Sequence, residues 1–321
     1  KSALLILNIF WPLKYLTAYL VSGRRPQEGR LEMCVLDVGT SDCTIVCLPN
    51  GKTMLIDGGD GTYRNNLKIL TELNRRDIDY IDYVVCTTVT DDYCGGLGEI
   101  LRQKQVGAVF YPYCINSYIS EGFEDFISAA GDSGARMVVA EYGAGVAAED
   151  FFFTFLSPAL HTGPGSEYAA LNADPSAANI AAASAVLWIE YEGSGILYAG
   201  GVSGQKLEEI ADTYALMQAL GDPDGYFTFA GNDICLTSCA AYHVASHGGD
   251  IALATSFTDL IDPEYSVISA GEQSGVPSLE VLADLLHDAV PGGDDGIYIT
   301  RYDGDVTVVI DESGVTCGGS A

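Results

Sequence analysis

From residue 31 onward, short apolar runs of strand length alternate with stretches whose apolar residues recur at helical spacing. That alternation limits the fold more than any single residue does. Runs 33–38, 43–48 and 53–56 read as strands, and Pro49-Asn50-Gly51 marks a tight turn because Asn-Gly accepts the left-handed backbone such a turn needs. Residues 64–76 place Leu67, Ile69, Leu70 and Leu73 at helical spacing; 81–87 is the next buried strand, and 98–103 continues as a helix. The second half repeats the pattern, with strands at 106–111, 135–140, 151–156, 184–191, 195–199, 242–245 and 265–269. Helices are expected at 121–131, 205–220 and 279–289, and a surface loop at 161–174. Runs 296–301 and 306–311, joined at Asp303-Gly304, predict a closing hairpin. Hairpins mixed with strand–helix units predict α/β layers around mixed sheets rather than one parallel sheet. No repeat of solenoid period is present.

A chain of 321 residues can bury one large core or two smaller ones. It carries 44 acidic against 15 basic residues, a formal charge of -29. Five of the basic residues (Lys1, Lys14, Arg24, Arg25 and Arg30) precede the first strand. Such a surface repels phosphates and anionic headgroups, so direct nucleic-acid binding is disfavoured and cations or basic partners are favoured. The expected partner is a protein or a small ligand of undefined identity. The cysteines are scattered through apolar runs and read as reduced, buried thiols, with a disulfide from Cys43 or Cys47 to a neighbouring strand as the alternative. Cys235-x-x-x-Cys239 lacks the spacing and the additional Cys or His of a zinc site.

Residues 3–21 form an apolar stretch of about bilayer-spanning length, interrupted by Asn8, Pro12 and Lys14 and rich in aromatic residues. Segment 1–22 is therefore expected to be a membrane anchor, with a helix packed on the domain as the alternative. Residues 23–30 read as a polar, basic linker and 31–321 as the folded domain. Arg24, Arg25 and Arg30 would put that domain on the cytoplasmic side by the positive-inside rule.

The segment from Val84 to Leu97 reads Val-Val-Cys-Thr-Thr-Val-Thr-Asp-Asp-Tyr-Cys-Gly-Gly-Leu: an apolar strand, a polar turn, then a Gly-Gly pair at a helix start. This frame resembles the metallo-β-lactamase motif Thr-His-x-His-x-Asp-His-x-Gly-Gly. Residues 35–43 (Val-Leu-Asp-Val-Gly-Thr-Ser-Asp-Cys) and the Leu-Ile-Asp-Gly-Gly run at 55–59 are similar to elements of the hydrolase domain of bacterial ComEC-type competence proteins. Phe155-Leu156-Ser157-Pro158, Asn179 with Ser184-Ala185-Val186-Leu187, residues 196–201, Ser246-His247-Gly248-Gly249 and Val276-Pro277 follow in that family's order. The resemblance runs from about Leu31 to the C-terminus. It implies a four-layer αββα sandwich with mixed sheets, the metallo-β-lactamase fold, with a metal site at one edge. An apolar N-terminal helix is expected to precede it, since that family's hydrolase domain accompanies membrane segments.

Carried over position by position, the resemblance puts Thr88, Thr90 and Tyr93 where the family has histidines, and Gly201 where a bridging carboxylate is expected. Ser246 and His247 stand in place of a His pair, so only Asp92 and His247 remain as plausible ligands. A hydrolytic centre needs several neutral imidazoles and a bridging carboxylate to hold metal and acidify its bound water. Thr, Gly and Tyr do not replace imidazole toward zinc. His161, His243, His247 and His287 complete the histidine inventory, too few to rebuild a His-rich centre readily.

Each remaining polar residue also has a structural role available. Asp57 is expected to accept from the Gly58-Gly59 amides, and Asp91 and Asp92 to cap the helix beginning near Gly95. A hard-cation site for magnesium or calcium on Asp57, Asp91 and Asp92 is the weaker alternative. His247 is expected to keep a structural hydrogen bond and His243 to be core; nothing in the spacing brings Cys94 to His247 as a nucleophile–base pair. The chain is thus expected to be a catalytically inactive, membrane-associated binding or scaffolding domain that needs no cofactor. The alternative is a zinc- or other divalent-metal-dependent hydrolase or phosphodiesterase with a remodelled site on Asp92 and His247, tied to DNA uptake by family analogy alone.

Overall fold

Leu31, Met33 and Val35 alternate with Cys34 along a single strand, and both sets are buried, which requires cover on both faces of the sheet. A computed structural model describes residues 28–115, 119–161, 163, 165–222, 225–272, 275–286 and 296–321. The anchor-like segment 1–22, most of the linker and His287 lie outside the described residues. Among the described residues, no helix is long and apolar enough to cross a membrane.

The chain first lays down β1 (Leu31–Val35), β2 (Thr44–Cys47), β3 (Thr53–Ile56), β4 (Tyr80–Val85), β5 (Gln105–Tyr111) and β6 (Arg136–Val139). It then forms β7 (Gly145–Ala147), β8 (Phe151–Ser157), β9 (Val186–Tyr191) and β10 (Ser194–Tyr198), and a small ribbon of β11 (Thr228–Phe229) and β12 (Asn232–Asp233). After β13 (Cys239–His243), β14 (Tyr265–Ile268) and β15 (Ile297–Ile299) it closes with β16 (Val306–Asp311) and β17 (Gly314–Gly319). Two large sheets result, ordered β17-β16-β1-β2-β3-β4-β5-β6 and β15-β14-β13-β10-β9-β8-β7. Each mixes parallel and antiparallel pairs, as in β1–β2 antiparallel and β3–β4 parallel.

One apolar cluster lies between the sheets, where Met33, Val35, Ile56 and Val85 meet Phe153, Phe155, Ile189 and Tyr198. The odd-numbered phenylalanines of β8 face this core, while Phe152 joins the outer cluster with Leu207, Ile210 and Phe257. On the far side, Leu55, Ile81 and Val84 pack on the helices Tyr63–Arg75, Leu97–Gln103 and Glu121–Ser133. The order helix, sheet, sheet, helix is the four-layer αββα arrangement expected from the sequence. Cys43 and Cys47 are buried thiols that form no disulfide.

Two expectations are corrected. The predicted closing hairpin does not form: the short helix Thr300–Asp303 carries the chain from β15 in the second sheet to β16 in the first. β16 instead pairs antiparallel with β1 and with β17. The predicted loop 161–174 contains the helix Glu167–Ala173, whose start is fixed by the Ser166 hydroxyl accepting from the Ala169 amide.

Candidate functional site

Three segments meet at one end of the sandwich, joined by backbone hydrogen bonds. The Asp42 amide donates to Asp92 O at 3.0 Å, Gly59 N to Asp42 O at 2.7 Å, and Gly58 N to Tyr93 O at 2.6 Å. Gly95 and Gly96 make this closeness possible. A Cβ on Gly95 would lie 2.5 Å from Asp91 O and 2.6 Å from Asp60 C, and one on Gly96 would overlap Gly58 O and the Asn66 side chain. The Gly-Gly pair therefore acts here through backbone contact.

Within that frame Asp92 and His247 come together, His247 Nε2 lying 3.2 Å from Asp92 Oδ2. On the other side of the ring, His247 Nδ1 is 3.7 Å from Asp42 Oδ1, and His243 Nε2 reaches the same oxygen at 3.4 Å and Ser269 Oγ at 3.1 Å. Asp42 is fully buried, with His243, His247 and Ser269 beside its carboxylate, and the two imidazoles hold it electrostatically. Burial alone would raise its pKa, but the adjacent His243 and His247 outweigh this and hold it below the usual carboxylate value. Burial opposes the charge on His247, and Asp42 and Asp92 overcome it, so this imidazole titrates above its ordinary value. Ser246 and His247 both sit in the left-handed region, at φ 47° and 56°, a strained turn that aims the ring between the two carboxylates.

Aromatic rings close the cluster. Tyr93 stacks on His247 with ring centroids 5.0 Å apart at 24°, and Tyr198 stacks on His243 at 4.0 Å and 9°. Burial, reinforced by Asp42, Asp92 and Asp57, keeps the Tyr93 hydroxyl protonated far above the usual tyrosine range. Thr88 is buried nearby, and Thr90 starts the helix Asp91–Cys94 that carries Asp92 and Tyr93. A Cβ on Gly201 would stand 3.1 Å from Thr88 Cγ2, 3.3 Å from Ser184 Oγ and 3.4 Å from the Tyr93 ring. A carboxylate there would have to displace one of these side chains. Ser246 Oγ, meanwhile, donates to Val202 O at 3.0 Å.

The remaining expected sites are held apart. Asp57, at φ 59°, does not use the Gly58-Gly59 amides: it accepts from Thr87 N at 2.8 Å and Thr87 Oγ1 at 2.7 Å. Burial raises its pKa well above the carboxylate range. Nor does Asp91 cap a helix at Gly95; its Oδ1 accepts from Gly122 N at 2.8 Å, at the start of the helix Glu121–Ser133. Asp57, Asp91 and Asp92 thus have three different partners and do not converge on a cation. The Cys94 thiol donates to Thr90 O at 3.2 Å and belongs to the apolar cluster behind the first sheet.

The residues present do not fit the two-metal centre that the sequence resemblance implies. Zinc needs neutral, open imidazoles. His247 is instead bracketed by two carboxylates and covered by a tyrosine ring. Among the described residues, no three His, Cys, Asp or Glu side chains are arranged to hold a metal ion. Asp42 and His243 were missed as cluster members by sequence reasoning. The available signal was Asp42 itself, a carboxylate set between Ser41 and Cys43 in a run where its neighbours are buried.

Compared by sequence, the chain matches no protein-family profile and no curated protein. Compared by structure, it is similar to CmlA, a diiron β-hydroxylase from Streptomyces venezuelae, with a TM-score of 0.46, 13% identity and coverage of 89% of this chain and 54% of that chain. It is also similar to the metallo-β-lactamase fold protein YhfI from Bacillus subtilis (TM-score 0.47, 10% identity, 89% of this chain and 100% of that one). A diphosphatase of the PhnP family matches at a TM-score of 0.41 and 11% identity, over 83% of each chain. The chain spans about half the length of CmlA. These likenesses are of fold and transfer no chemistry.

Proposed function

We propose that this chain is a ComEC-like, metallo-β-lactamase-fold domain without a catalytic metal, acting as a binding or scaffolding unit. The observation that carries the reading is the closed line Asp92–His247–Asp42–His243, in which each imidazole is committed to carboxylates and stacked under a tyrosine. Opening it to bind metal would break buried charge contacts and displace Tyr93, a residue only 3% exposed. The apolar stretch at residues 3–21 supports membrane association, with the basic residues after it favouring the cytoplasmic side for the domain. Metal analysis of the purified chain after incubation with zinc, manganese and iron tests the reading. Well under one metal per chain is expected; a near-stoichiometric metal would refute it.

A second reading is favoured by one feature: Asp92 is 41% exposed while paired with the buried His247. A solvent-facing carboxylate–imidazole pair could serve a remodelled hydrolase or phosphodiesterase, with zinc or another divalent ion as its cofactor. A metal-dependent phosphodiesterase rate lost in both Asp92→Ala and His247→Ala would establish it. Extending that reading to DNA uptake meets the excess of 44 acidic over 15 basic residues, which disfavours direct contact with DNA.

A further inference from the structure

A cleft of about 430 Å³ lies between the end of β8 and the helix Gly204–Leu220 and shares no residue with the Asp42–His247 cluster. Its walls are apolar and aromatic: Leu156, Leu160, Ile210 and Phe227, with Tyr142 and Tyr226 beside them. The two tyrosine rings stack at 4.7 Å and 26°, and the Tyr142 hydroxyl donates to Tyr226 O at 2.6 Å, which ties the two residues together. Burial pushes the Tyr142 hydroxyl up to about 12, so it stays neutral at physiological pH.

The charged lining is unbalanced. Glu167 and Glu209 face one cation, Lys206, whose ammonium bonds to both carboxylates. Lys206 is already paired with both carboxylates, which offset its charge toward an incoming anion. Two carboxylates against one ammonium leave the cleft net negative, and the formal charge of -29 on the whole chain adds to that field. An uncharged apolar molecule would use the walls and leave this charge unanswered. A cation with an apolar body would use the walls, the aromatic faces and the surplus carboxylate together.

We propose that this cleft is a binding site for a small organic cation, a primary or quaternary amine carrying an apolar or aromatic group. The site is independent of the reading given to the Asp42–His247 cluster, and failure of one leaves the other standing. Calorimetric titration of the full chain with benzyltrimethylammonium, benzyl alcohol and benzoate tests it. The cation binds about tenfold tighter than the neutral alcohol, and benzoate binds more weakly than either. Glu209→Gln, at a half-exposed position, weakens the cation about three- to fivefold and leaves benzyl alcohol unchanged. Thr213→Trp, which fills the cleft from the same helix, abolishes binding of the cation. The proposal is overturned if the cation gives no binding, or if either other probe matches its affinity. It is equally overturned if Glu209→Gln or Thr213→Trp, shown to be folded by circular dichroism, binds the cation as the parent chain does.

Discussion

Replacing Asp42 by Asn tests the central cluster most directly, because it removes one charge and almost no volume. The carboxylate it removes is fully buried, 3.4 Å from His243 and 3.7 Å from His247. Deleting one side of a buried charge pair typically costs about 3–5 kcal/mol. Asn retains the shape and can still hydrogen-bond, so the lower end, about 3 kcal/mol, is expected near pH 6, equivalent to a melting-temperature drop of about 6–12 °C. The pH dependence has a definite sign. His247 has its folded pKa raised above the ordinary 6.5, so its contribution is complete below that value and is lost as pH rises through the folded pKa. Asp42 has its folded pKa lowered below 3.8, so its contribution is present above that value and is lost as pH falls through the folded pKa. The parent chain therefore loses stability on the alkaline side of His247, and Asp42→Asn shows a smaller decline, the part owed to Asp92 remaining. The gap between the two narrows as pH rises. Urea unfolding followed by circular dichroism across this range, with NMR titration of the histidine rings, measures both effects. Equal stability near pH 6, a gap that widens with pH, or a His247 that titrates at its ordinary value in the parent chain would refute the reasoning.

Gly96→Ala should destabilise by about 1–3 kcal/mol, since its Cβ overlaps Gly58 O and the Asn66 side chain; an unchanged melting temperature would show that the strand-to-helix turn does not need the glycine. Arg76 is buried with Glu32 at 2.6 Å and Glu72 at 2.7 Å, so Arg76→Met should cost about 3 kcal/mol in urea unfolding. Adding Glu32→Gln and Glu72→Gln should recover part of that loss, and a further loss would contradict a charge origin. Chelation followed by excess zinc should leave the melting temperature unchanged; a metal held a hundredfold above its Kd would add about 2.7 kcal/mol, so a rise of several degrees would count against the closed cluster.

Most strands could be located from the sequence because a sheet covered on both sides demands apolar residues on both faces. Runs such as 53–56 and 151–156 therefore stand out whatever their neighbours. Pairing was less legible. Residues 297–299 and 306–311 are close in the chain and both apolar, yet only the turn of helix at Thr300–Asp303 decides that they enter different sheets. The helix Glu167–Ala173 was masked by small and polar residues that carry little helical periodicity.

The polar cluster divides in the same way. Composition and motif order alone determined the α/β class and the extreme negative charge, and placed Thr88, Thr90 and Tyr93 where the resemblance implies histidines and Gly201 where it implies a carboxylate. Only the tertiary structure decided that Asp42 stands between His243 and His247, that Asp57 binds Thr87, and that Asp91 and Asp92 serve different partners. The reason is physical: periodicity reports which face of an element is apolar, a local property. The partner of a buried carboxylate is set by which loops the two sheets bring to one edge, and those loops here come from opposite halves of the chain.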